Sequence, residues 1–152
     1  MPQFRTGTDD FQKLRQADGY FVDKSLFVRD VIVGSDVTLL PRPRRFGKTL
    51  NMTMLRYFFE KNDVDRRPLF CGLAISRDAD SMAHQGQYPV IYLSLKDIKG
   101  NDWPESKRKL GLAIAREFDR HEGLRETLAP RDHEIFLAIQ GAQCGDGDLK
   151  DS

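Results

Sequence analysis

A chain of 152 residues has room for one domain with a proper core, and at 39% hydrophobic and 31% charged its composition is that of an ordinary globular protein. Lys and Arg number 24 against 23 Asp and Glu, a formal net charge of +1, so no overall field draws it to nucleic acid or to a membrane. No apolar run approaches a membrane span, and the polar start MPQFRTGTDDF lacks a signal peptide's apolar segment. The two cysteines, Cys71 and Cys144, show no CxxC pairing, which argues against a disulfide framework or a zinc site and for a reducing cytoplasm.

In chain order, residues 8–17 predict a short helix capped by Thr8 or Asp9, with Phe11 and Leu14 on one face and Gly19 at its end. Residues 20–22 form a short apolar piece. Asp23 predicts the cap of a second helix over 24–33, closed by Gly34, with Leu26, Phe27 and Val31 apolar. Residues 37–40 (VTLL) read as a first strand. A helix is expected over about 48–61, then a charged connection over 62–68. Leu69, Phe70, Leu73 and Ile75 make a small apolar patch, and 76–87 read as loop. Residues 89–95 (PVIYLSL) read as a second strand, whose near-continuous apolar character suits burial on both faces of a parallel sheet. Asp102 predicts the cap of a long amphipathic helix to about 121, with Trp103, Leu110, Ile114 and Phe118 as its inner stripe. A last helical pattern covers 128–140, with Pro130 at its start, and the glycine- and aspartate-rich 141–152 read as a frayed tail.

The stretch that carries chemistry is 37–59, VTLLPRPRRFGKTLNMTMLRYFF. An apolar run, then Gly47-Lys48-Thr49, then an apolar helical face (Leu50, Met54, Leu55, Phe58) is the context in which a phosphate-binding loop is credible. Successive backbone N–H groups in such a loop form an anion nest, and the helix behind it adds the positive end of its dipole. In this reading the backbone of Arg45, Phe46, Gly47 and Leu50 belongs to the nest, Lys48 reaches the β- and γ-phosphates of ATP, and the Thr49 hydroxyl holds Mg2+. Arg42 stands where the usual pattern has its first glycine, and Pro41 and Pro43 have no N–H, so the loop's first turn differs from the standard one. The competing reading is a strand, a basic turn and a core helix with no ligand.

The runs FQKLRQADGYFVDKSLFVRDVI, LLPRPRRFGKTLNMTMLRYFFE and YPVIYLSLKDIKG, in this order, closely resemble the N-terminal part of the bacterial AAA-ATPase-like family. That resemblance implies that Arg-Pro-Arg-Arg-Phe-Gly-Lys-Thr is the family's variant of the Walker A motif, so Arg42 is typical rather than damage. It implies an α/β fold, a partial P-loop NTPase parallel sheet with flanking helices. A helical segment (1–36) leads to the partial P-loop domain (37–140), followed by a flexible tail (141–152). It further implies a protein of several hundred residues with a PD-(D/E)xK nuclease-like domain beyond. The acidic Walker B strand would follow a segment like 131–140, so the chain ends about where that strand begins. Within the chain Asp97 is the nearest candidate for a metal-side carboxylate, and in related ATPases the place of Tyr20 and Phe21 folds over the adenine, where either ring stacks on the base or packs in the core.

The expectation is an ATP-binding module with weak or no hydrolysis by itself, self-associating through an exposed sheet edge or completed by a C-terminal domain. The alternatives are a non-catalytic interaction module or gene remnant, and a nucleic-acid contact through Arg42, Arg44, Arg45 and Lys48, which Phe46 alone interleaves with an aromatic ring. His84, His121 and His133 show no metal-ligand spacing and read as surface residues.

Overall fold

The computed structural model describes residues 8–41, 43, 46–96 and 98–141. They belong to two compact units, Met1–Val90 and Ile91–Ser152. The first holds the helices α1 (Phe11–Gln16), α2 (Phe27–Val33), α3 (Lys48–Phe59) and α4 (Ala79–Met82), with two 3-10 turns, Arg67–Phe70 and Ala74–Arg77. The second holds α5 (Trp103–Arg120), a 3-10 turn Glu122–Thr127 and α6 (Pro130–Gln140).

The α/β class, with its parallel P-loop sheet, is overturned. Among the described residues no β-strand forms, and pairing is limited to isolated bridges such as the parallel one between Glu60 and Tyr88. The physical reason is that a strand is a relation between two segments, and an apolar run supplies only one of them. Residues 37–40 and 91–95 have no regular structure, and Leu39 and Ile91 remain 83% and 78% exposed. The Tyr92 N–H donates to the Glu117 carboxylate of α5 at 2.9 Å.

Three helices, α1, α4 and α5, begin at a capping aspartate. Asp10, rather than Thr8 or Asp9, caps α1, its Oδ1 accepting the Lys13 N–H at 2.8 Å. The chain then turns through Asp18 (φ 48°), and the Gly19 N–H closes on the Leu14 carbonyl at 3.0 Å. Asp23 does not start the second helix. Its carboxylate accepts the Ser25 N–H at 2.9 Å and the distant Ala74 N–H at 2.7 Å, stitching the segment before α2 to the second 3-10 turn, so α2 begins only at Phe27. The 76–87 stretch contains α4, capped by Asp78. Asp102 caps α5 as its sequence predicts, accepting the Glu105 N–H at 2.8 Å, and Pro130 opens α6.

The core of the first unit forms around Phe11, Phe58 and Phe70, all fully buried. Phe70 lies 5.1 Å from Phe58 edge-to-face and 5.2 Å from Phe11, and Phe21 meets Phe11 edge-on at 5.4 Å. Val28, Met54, Tyr57, Leu69, Leu73 and Ile75 complete the cluster. The apolar patch 69–75 is thus a pair of core-forming 3-10 turns. The Arg15 guanidinium holds the first of them, donating to the Leu69 and Cys71 carbonyls at 2.8 Å each.

α1 is fixed on α3 by two side chains one helical turn apart. The buried Thr53 hydroxyl accepts the Phe11 N–H at 3.1 Å and donates to the Leu50 carbonyl at 3.0 Å, and the Tyr57 hydroxyl donates to Asp10 Oδ2 at 2.7 Å. In the second unit α5 packs on α6 through Ala115, Phe136 and Ile139, with the Phe118 and Phe136 rings 4.8 Å apart. Trp103 is not part of that stripe and stands 72% exposed, because it occupies the first position of the helix, outside the packed turns.

Thr53→Val leaves the Phe11 N–H buried without an acceptor, a loss of about 1–3 kcal/mol of stability, which Thr53→Ser restores in large part. The reading is the urea midpoint at unchanged m-value, and a Val variant as stable as the parent would refute the role given to the hydroxyl. Burial pushes the Asp23 carboxyl up, but the hydrogen bonds from Ser25 and Ala74 and the nearby Arg15 charge outweigh it and hold the pKa below the ordinary value. A depressed folded-state pKa contributes stability that is fully present above the unfolded carboxyl value of about 3.9 and is lost as pH falls through the folded value. Urea unfolding from pH 6 down to pH 2 should therefore show a shallower acid loss in Asp23→Asn, from a lower starting stability.

Candidate functional site

The Gly47-Lys48-Thr49 tripeptide sits at the start of α3. Gly47 is the N-cap residue, in the left-handed conformation (φ 71°, ψ 23°), which an L side chain adopts only at a cost. A Cβ built there meets no atom within 4 Å, so the backbone at this point faces open space. The first intrahelical bond of α3 runs from the Asn51 N–H to the Gly47 carbonyl at 2.9 Å, and no side chain caps the end. The N–H groups of the first turn therefore precede the helix's own ladder, at the positive end of a 12-residue dipole.

The side chains divide by function. Lys48 and Thr49 are exposed, and Phe46 is 58% exposed. Leu50 is half-buried and packs against the core, while Asn51, Thr53, Met54, Tyr57 and Phe58 form the buried face of α3. The helix thus presents its start to solvent because its other face is anchored, and sequence reasoning missed Thr53 and Tyr57 as anchors. The available clue was a threonine in the middle of an apolar helical face, where a hydroxyl needs a partner.

Of the other predicted site residues, Tyr20 is half exposed in the segment ahead of α2, and its neighbour Phe21 packs against the core. Arg42, Arg44, Arg45 and Asp97 lie outside the described residues. Two cavities of about 310 and 300 Å³ flank Arg66, near the far end of α3, and a third of about 350 Å³ lies in the second unit between Tyr92, Leu93, Ser94 and Ile98 and α5. The backbone geometry of the helix start is the better guide to an anion site, because a phosphate nest is made of N–H groups rather than of a deep hollow.

The opposite end of α3 is an ion cluster. The buried Glu60 carboxylate is met by Arg66 Nη1 at 2.5 Å and by Arg56 Nε at 3.4 Å. The Arg66 guanidinium also stacks on the Tyr57 ring, 4.5 Å from its centroid. Burial, with the Asp10 carboxylate beside it, pushes the Tyr57 phenol up to about 12, so it stays a proton donor to Asp10 at physiological pH. Burial pulls Arg66 below the ordinary guanidinium value.

A left-handed glycine, a lysine and a threonine opening an uncapped helix place the chain among proteins built around a GK[ST] helix start. The chain belongs to the AAA-ATPase-like family: the family model, described as predicted AAA-ATPase, matches residues 5–140. It is also 36% identical over 89 residues to a protein of Azotobacter chroococcum mcd 1 described as an uncharacterized protein in the vnfD 5′ region. That match covers 58% of this chain and 16% of the relative, so the shared stretch is about a sixth of the relative's length. No solved structure matches the chain. No helix of the described residues is long and apolar enough to cross a membrane.

Because the space above Gly47 is open, substitution there tests conformation without a clash. Gly47→Ala should lower stability by about 1–2 kcal/mol, and Gly47→Asn by less, since Asn tolerates the left-handed region. Denaturant midpoints of the two variants check the order, and an alanine variant as stable as the parent would remove the left-handed turn from the argument.

Proposed function

We propose that this chain is a nucleotide-binding P-loop module of a cytoplasmic bacterial protein, taking ATP with magnesium at the start of α3. The observation that carries the reading is the union of sequence and backbone at one point: Gly47-Lys48-Thr49 falls at the uncapped, left-handed start of a long helix, where the Lys48 and Thr49 side chains are exposed. In this reading the backbone around Phe46, Gly47 and Leu50, with Arg45 of the loop, cradles phosphate oxygens. The Lys48 ammonium neutralises the β- and γ-phosphates, and the Thr49 hydroxyl is the protein's magnesium ligand. Magnesium would supply charge compensation for the phosphates; the donor set offered, one hydroxyl and open solvent, suits an ion that keeps most of its waters. Tyr20, half exposed ahead of α2, is the ring this scheme assigns to the base.

Hydrolysis by the chain itself is expected to be weak or absent, because among the described residues no group of three or more His, Cys, Asp or Glu is placed to hold a metal ion. The near-neutral net charge gives a nucleic-acid role for the basic loop no long-range electrostatic support.

Isothermal calorimetry of the purified, folded chain with ATP and magnesium tests the reading, with Lys48→Ala and Thr49→Ala alongside. Binding is expected, weakened at least tenfold by Lys48→Ala, equivalent to about 1.4 kcal/mol, and made insensitive to magnesium by Thr49→Ala. A chain with native circular dichroism that binds no nucleotide, or a Lys48→Ala variant that binds as well as the parent, would overturn it. A salt-sensitive gel shift with DNA that excess ATP leaves unchanged would assign the loop to nucleic acid instead.

A further inference from the structure

We draw no further inference here: the strongest candidate, the apolar run 91–95 ahead of α5, whose alternate side chains Ile91, Leu93 and Leu95 stand exposed, carries nothing because nothing in the structure shows what covers it.

Discussion

The Thr53 hydroxyl, in the middle of α3, accepts the first backbone N–H of α1 at a buried position. An N–H group at a helix start has no partner within its own helix, and sealing it from water without one costs more than a typical hydrogen bond returns. The bond therefore fixes where α1 can sit. With it set, Phe11 enters the cluster of Phe58 and Phe70, Asp10 comes within reach of the Tyr57 hydroxyl, and Arg15 reaches the carbonyls of the first 3-10 turn. The rest of the first unit's packing is consistent with that single placement, and the same contacts leave the start of α3 facing solvent.

The helices were legible because their determinants are local. A capping carboxylate, a glycine just past the end and apolar residues at helical spacing lie within one or two turns of one another, so α3 and α5 could be read from sequence within about two residues. The parallel sheet was not recoverable by the same means. An apolar run such as VIYLSL records that its side chains avoid water, but it does not name the segment that will take its N–H and C=O groups. Where the Tyr92 N–H meets a carboxylate of α5, the run is left without regular structure. Asp23 failed as a helix cap for a related reason: it also accepts a hydrogen bond from Ala74, a residue no local window contains.

The candidate site was legible in part. The tripeptide and the helix behind it are a local pattern, and the left-handed Gly47 is the backbone state that pattern requires. What holds the helix in place was not legible, since Thr53 and Tyr57 draw their meaning from partners more than 40 positions away. The relation of Tyr20 to the phosphate loop is likewise a matter of tertiary contact, and its sequence distance from Gly47 does not determine it.

The two bonds from α3 come from positions four apart on one helical face, and they end on consecutive residues, the α1 cap Asp10 and the first helical residue Phe11. This arrangement works as a register lock. A slide of α3 along its axis by one turn, about 5.4 Å, would break both bonds together rather than trade one for the other. A rotation large enough to carry Thr53 off the interface would carry Tyr57 with it. The N-terminal segment and the helix that begins at the glycine loop are thus tied at two points, so α3 cannot slip along α1 without giving up both bonds.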